Sequence, residues 1–297
     1  QGYATTGMIS VVIGAIANIV LDPLFIFMLD LGIRGAAIAT VLSQCLSAGF
    51  VLYFLSKKAE YKVRLLYKEE IRTCGKDAKN IVSLGTAGFV MQLTNSLVSI
   101  CCNNVLSATG GDVYVSVMTI ISSVRQMIET PIWSISEGSS PVISYNYGAK
   151  RPKKVIEAWI TMSVLALIYS LIAWSVILFA PKFLIGIFSS DKSLMIDTVP
   201  AMKLYFSAFI FMLFQYTGQT MFKSLNKKKQ AIFFSILRKV IIVVPMTYMF
   251  PYVFHMGSNG VFMAEPVSNV IGGSLCFIVM LLTVLPELKQ MNSDLSS

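Results

Sequence analysis

Histidine is almost missing from this chain. His255 stands alone among 297 residues, so no His-based metal set can be assembled. Cysteine is scarce as well. Cys45, Cys74, Cys101, Cys102 and Cys276 form no CxxC pair and are odd in number. Four of them sit in apolar runs, where cysteine acts as a small hydrophobe, so neither disulfides nor a metal site are expected. HExxH, GxSxG and a paired-Asp membrane motif are all lacking, which argues against an enzyme. Charge is also in short supply: 13% of residues are charged against 55% hydrophobic, with mean hydropathy +0.71. Soluble domains carry roughly 25% charged residues, so the balance points to lipid. A net charge of +9 is present, but its basic residues fall in short clusters between apolar runs. That pattern belongs to a polytopic membrane protein and not to a nucleic-acid footprint.

Apolar runs of about 20 residues can cross the hydrocarbon core as helices. Eight are present, at 8–29, 34–56, 80–106, 114–143, 155–180, 196–222, 230–254 and 259–285. The loops between them alternate in charge. One set holds Lys57 to Lys79, Lys150 to Lys154, and Lys223 with Lys227 to Lys229; the other holds Asp30 and Arg34, Asp112, and Lys182 to Lys192. The positive-inside rule puts the basic loops and the C-terminus in the cytoplasm of a cell whose plasma (inner) membrane the chain crosses. The basic stretch 57–79 reads as a linker, and its LLYKEEIR segment as a short helix on the anionic leaflet. The polar tail MNSDLSS is expected to fray.

The stretch Asn18 to Thr40, NIVLDPLFIFMLDLGIRGAAIAT, sets the functional expectation. Asp22 places a carboxylate inside an apolar run, and Asn18 lies one helical turn away on the same face. Pro23 removes a backbone donor and frees the carbonyl of Ile19. Oxygen ligands gathered at membrane depth suit a proton or a hard monovalent cation. Burial raises the pKa of such a carboxyl and a nearby cation lowers it, so proton and cation would compete. The alternative is a packing cluster, since Asn and Thr also bond across membrane helices.

An internal repeat accompanies this stretch. Gly32, Gly35, Ala39, Thr40, Ser43 and Gln44 match Gly257, Gly260, Ala264, Glu265, Ser268 and Asn269 at a constant offset of 225. The first two spans therefore correspond to the last two, in the same direction, as in transporters built from parallel repeats. A six-helix later bundle implies a six-helix earlier one. The chain, which begins at Gln1, then reads as eight of twelve helices. The expected architecture is an all-α integral membrane protein with two pseudo-symmetric six-helix lobes. Residues 1–56 would be the last two helices of the first lobe, 57–79 the linker, and 80–297 the second lobe.

Remaining polar and aromatic residues leave alternatives open. Glu137 either faces a cavity or pairs with Lys150 or Arg151 near the headgroups. Arg125 and Glu129, one turn apart, form a local ion pair or a cavity charge pair. Glu265, the repeat partner of Thr40, either faces a cavity or caps a helix beside Pro266. Arg238 and Lys239 are expected to snorkel to the interface, and His255 to sit at the outer end of a span. Gln215 and Gln219 are polar residues one turn apart, and read as cavity residues. Trp133, Tyr205, Phe209, Tyr216, Tyr248 and Met91, Met118, Met162, Met202, Met212, Met246 and Met263 either line a plastic cavity or pack between helices.

NIVLDPLFIF, GIRGAAIATVLSQ, EGSSPVISYNYGAKRPKKV, the FKSLNKKKQAIFFSILRKVIIVVPMTYMFP run and GVFMAEPVSN together resemble the multidrug and toxic compound extrusion (MATE) transporters, in the family's order and across essentially the whole chain. The resemblance implies helices five to twelve of a twelve-helix antiporter that exports cationic, amphipathic compounds in exchange for H⁺ or Na⁺ by alternating access. It implies a cation-coupling site at Asn18, Asp22 and Thr40, completed by an Asp on a helix that would precede Gln1. Gln92 lies near a position where some members carry an acid, which favours the DinF-like branch. No cofactor is implied beyond the coupling ion, and the expected partners are small organic cations and the bilayer, with the protein a monomer. Two other readings stand beside this one: a flippase for lipid-linked precursors, which would need a more basic cavity than Arg125 alone provides, and a fragment that does not transport.

Overall fold

The computed structural model describes residues 3–60, 62, 75–189 and 191–294. The LLYKEEIR segment lies outside them, as do the last three residues. All regular structure among the described residues is helical. The chain divides into two compact units, Gln1–Ala78 and Lys79–Ser297.

The first unit is a helical hairpin of α1 (Ala4–Pro23) and α2 (Gly32–Lys57). Pro23 cannot donate to the Ile19 carbonyl, and the ladder continues beyond it as a π turn over Leu24–Met28, with Leu29 N donating to Leu24 O at 3.0 Å. The hairpin closes through small residues. Gly35, Ala39 and Ser43, each four apart, form the buried stripe of α2. Ser47 Oγ donates to the Ser10 carbonyl across the pair at 2.7 Å.

The second unit begins with α3 (Gly75–Gly148), which is not one straight rod. Gly111, at φ 70° and ψ −168°, leaves the helical region and divides it. Its apolar stretch from Gly88 to Gly148 covers 61 residues, which at 1.5 Å per residue would be roughly three hydrocarbon thicknesses if unbroken. The unit continues with α4 (Pro152–Phe179), α5 (Pro181–Phe188), α6 (Lys192–Tyr205) and α7 (Phe209–Ser224). Asp191 caps α6: its carboxylate accepts from the Ser193 hydroxyl and amide, and those bonds hold its pKa below the usual carboxylate range. Between α6 and α7 the chain bends by 51°, and Trp174 Nε1 donates to the carbonyl of Phe206 in the bend at 3.0 Å.

The last two spans are interrupted helices. One runs through α8 (Lys228–Ile236), a π segment (Leu237–Val243), α9 (Val244–Tyr248) and a second π segment (Met249–Val253). The other joins α10 (Ser258–Ser268) through a π segment (Asn269–Gly273) to α11 (Ser274–Asp294). Six stretches among the described residues are long and apolar enough to cross a membrane, and counting α6 and α7 as one bent span makes seven.

The repeat is written into the backbone of both hairpins. Leu24–Met28 and Met249–Val253, both π turns, lie 225 residues apart. Leu31 N donates to Phe25 O at 3.2 Å, and Met256 N to Phe250 O at 3.0 Å. Asp30 and His255 share a positive φ (50° and 54°), as do Gly32 and Gly257 (52° and 55°). A Cβ on Gly35 would lie 2.5 Å from Phe25 O, and one on Gly260 would lie 2.7 Å from Phe250 C. Ser43 Oγ donates to Thr40 O at 2.9 Å, and Ser268 Oγ to Glu265 O at 2.8 Å.

Candidate functional site

Within the first unit, α1 brings Asn18 and Asp22 together. Asn18 Nδ2 donates to Asp22 Oδ1 at 3.2 Å, and both side chains are half-buried. The pair sits one turn before the π segment that follows Pro23, where the helix departs from regular bonding. Thr40 is bonded to neither. Its hydroxyl donates to Ala36 O on α2 at 2.9 Å, and the residue is exposed.

A second constellation lies wholly inside the second unit, where the residues surround a cavity of about 420 Å³. Arg125 and Glu129, one turn apart on α3, form an ion pair that faces the cavity, so both readings of their spacing hold at once. Arg125 Nη1 also donates to the Tyr205 hydroxyl at 2.7 Å, and Tyr216 donates to Glu129 Oε2 at 3.2 Å. Opposite them is Glu265 on α10, 4% exposed. Its Oε1 lies 3.0 Å from Arg238 Nη1, 3.1 Å from Lys239 Nζ and 3.3 Å from Arg125 Nη2. Arg238 reaches on to Asn269 Oδ1 at 2.6 Å.

This arrangement corrects the expectation that Arg238 and Lys239 snorkel to the interface. They are 7% and 4% exposed, and their charged ends turn inward to Glu265. Snorkelling serves a cation whose alternative is bare hydrocarbon. Here α10 supplies a carboxylate and the π segment after it supplies the Asn269 amide, and Gly272 makes room for the arginine stem, since a Cβ there would lie 2.8 Å from Arg238 Cγ.

The other expected cavity residues separate. Gln92 lines the cavity, together with Trp133, Tyr205, Tyr216 and Met118. Glu265 lines it too and does not cap a helix: it lies inside α10 and is held by three cations. Gln215 and Gln219 are buried beside a smaller space of about 80 Å³ that also touches Arg238 and Lys239. Gln219 Nε2 donates to Ala231 O at 3.5 Å, and Gln215 Oε1 has no hydrogen-bond partner among the described residues. Glu137 does not line the cavity. Its partner is Lys223 on α7, and neither Lys150 nor Arg151 is bonded to it. Phe209, Met162, Met202 and Met212 are core residues. The side chain of Met91 lies outside the described ones. Sequence reasoning missed Asn95, Ser99, Ser122, Gln126 and Thr130, which also line the cavity. The signal was available, because all five lie on the two halves of α3 near Gln92, Arg125 and Glu129 at helical spacing.

The sequence profile of the MatE family matches residues 88–249, more than half of the chain and the part that carries most of this cavity. The chain belongs to the MatE family. Its similarity extends further than the profile. The multidrug export protein MepA of Staphylococcus saprophyticus is 26% identical over 289 residues, covering 95% of this chain and 60% of the relative. The MepA of Staphylococcus aureus strain NCTC 8325 is also 26% identical, over 288 residues, with the same coverage. The chain thus spans about 60% of the length of these curated relatives. Among solved structures, a MATE protein in its bent conformation superposes with a TM-score of 0.84 at 23% identity, covering 100% of this chain and 64% of that one. An outward-facing multidrug resistance MATE family transporter gives 0.83 at 23% identity, covering 96% of this chain and 63% of that one. The fold of this MatE protein is therefore that of helical membrane transporters, and the chain is a multi-pass membrane protein.

Proposed function

We propose that the protein is an ion-coupled efflux transporter that exports organic, drug-like cations in exchange for H⁺ or Na⁺. The observation that carries this reading is the Asn18–Asp22 pair, a carboxylate and an amide held one turn apart beside a proline-broken stretch of a membrane helix. A carboxylate at membrane depth is costly to keep for packing alone. Protonated, Asp22 is neutral; ionised, it attracts a cation. Its occupancy therefore biases which conformation of the transporter is favoured, and export follows where ion and substrate prefer different conformations. Membership of the MatE family and likeness to export proteins support the same reading. The proposal includes a plasma-membrane location with the basic loops facing the cytoplasm, on the charge alternation of those loops.

Efflux of a fluorescent organic cation from proteoliposomes tests it, with the protein produced from its complete coding sequence. A proton gradient and then a sodium gradient are imposed, on wild type and on Asp22→Asn. We expect one of the two gradients to drive efflux and the substitution to lower it at least tenfold. Efflux by Asp22→Asn at the wild-type rate sinks the reading.

The flippase alternative rested on the need for a basic cavity, and the cluster holds Arg238 and Lys239 as well as Arg125. Glu129 and Glu265 cancel all but one of those three charges. A pyrophosphate head group, which carries two or more negative charges, is poorly matched to one net positive charge.

A further inference from the structure

Away from the charged cavity, the second unit carries a groove between α8 and α11. It holds about 380 Å³ and is lined by Phe233, Phe234, Leu275 and Val279, together with Lys229 and Gln230 from the first turn of α8. None of these residues lines either of the two inner spaces. The groove opens outward, with Phe233 54% and Leu275 41% exposed. One wall is firmly set. Phe233 lies edge-on to Phe234 with 5.2 Å between ring centroids, and Phe234 stacks on the buried Phe222 at 5.7 Å. Acyl chains suit such a surface anywhere in a bilayer, so the lysine on its rim is what distinguishes it.

The lysines near that rim are not equivalent. Lys223 and Lys227, just before α8, are held within the protein by Glu137 and Glu287. Lys229 is exposed and forms no ion pair among the described residues. A lysine so placed lays its methylenes on apolar surface and sends its ammonium to the headgroups.

We propose that this groove binds one anionic phospholipid, an acyl chain against Phe233 and Leu275 and the phosphate on Lys229 and the Gln230 amide. The lipid comes from the leaflet that meets the basic loops, where anionic headgroups attract lysines beside the membrane. One uncommitted lysine answers one negative charge, and the Gln230 amide adds N–H donors for a phosphate oxygen. The volume lies in the range of single-ligand pockets. The place gives the lipid something to act on. α8 passes into its π segment at Leu237, one turn beyond Phe233, and the π segment before α11 ends at Gly273, two residues before Leu275. A chain between Phe233 and Leu275 touches both spans beside their breaks, and a ligand that binds only the paired spans stabilises their pairing. This inference goes beyond the efflux reading and does not depend on it.

Native mass spectrometry tests it, on the protein produced from its complete coding sequence and purified in detergent. Dioleoyl phosphatidylglycerol and dioleoyl phosphatidylcholine, which share their chains and differ in net charge, are titrated in turn. We expect one tightly held phosphatidylglycerol, bound about fivefold more tightly than phosphatidylcholine, as about 1 kcal/mol per lysine requires. Lys229→Gln should lower phosphatidylglycerol affinity about fivefold and leave phosphatidylcholine within about twofold. Lys153→Gln, at an exposed lysine of another basic loop, should change neither. Leu275→Trp fills the groove and should weaken both lipids about fivefold or more. Lys229 and Leu275 are both exposed, so neither substitution disturbs the core. Equal affinity of the wild type for the two lipids overturns the proposal, as does a preference that survives Lys229→Gln. Equal losses in Lys229→Gln and Lys153→Gln overturn it too, since diffuse surface charge then accounts for the preference. Wild-type binding by Leu275→Trp does the same, because the headgroup is then held without the groove.

Discussion

Two hairpins of this protein share a backbone and differ in their charge. In the first, Leu24 to Ser43 carries a π turn, two left-handed residues, a glycine set against a carbonyl, and a serine bonded three residues back. Met249 to Ser268 repeats each feature 225 residues later. Yet the first hairpin holds its acid on the earlier helix, at Asp22, with Thr40 exposed on the later one. The second holds threonine at the position of Asp22, namely Thr247, and its acid at the position of Thr40, namely Glu265. Backbone geometry and the placement of ionisable groups are thus separable properties. Local sterics write the first; the second depends on what each unit offers as a partner.

The largest effect that would sharpen this comparison is at the Thr40/Glu265 position. Glu265→Gln leaves Arg238 and Lys239 buried without their carboxylate, and removing one partner of a buried ion pair costs about 3–5 kcal/mol. Thr40→Val removes a hydroxyl bonded only to its own helix on an exposed site, and should stay within about 0.5 kcal/mol. Thermal unfolding in detergent should therefore show a large drop for the first and almost none for the second. Equal drops would erase the contrast.

Glycine replacements come next and should affect both hairpins alike. In an ordinary helix Gly→Ala gains about 1 kcal/mol. At Gly35 and Gly260 the new methyl meets backbone atoms that cannot step aside, so the sign reverses and each substitution should cost about 1–3 kcal/mol. A stabilised Gly35→Ala beside a destabilised Gly260→Ala would show that the two copies are not built alike. The smallest effect concerns Asp30 and His255, which pay for a left-handed conformation. Asp30→Gly and His255→Gly should each raise stability by up to about 1 kcal/mol, read as a small upward shift in the same melts.

Much of this was legible in the sequence because the relevant rules are local. The offset of 225 was visible from the glycines, alanines and serines alone, since contacts with backbone admit few alternatives. Pro23 marked a span that departs from regular helix, although not the π form the departure takes. The buried ionic cluster was less readable. Arg238 lies nine residues past Lys229, about 13 Å along a helix, which is deep for snorkelling, but nothing local says that Glu265 is the residue it meets. Which face of a span points inward is also hidden: α4 buries Met162, Ala166 and Ser170 while exposing Val164, Leu165 and Ile168, and both faces are apolar. In lipid the usual polar–apolar contrast across a helix is absent, so periodicity cannot report orientation. The Lys223–Glu137 pair escaped for another reason, because its members are 86 residues apart and equally near other charges in sequence.

The contact of Gly35 with Phe25, and of Gly260 with Phe250, has a consequence for how such a protein can change. A joint made of main chain against main chain asks nothing of the side chains around it except that one position stay bare. Residues 24–43 and 249–268 therefore form a common bracket that carries Thr40 in one copy and Glu265 in the other, while Asp22, Arg238 and Lys239 stand before it in the chain. The residue five positions past the bare glycine, Thr40 or Glu265, can change its chemistry while the joint keeps its geometry.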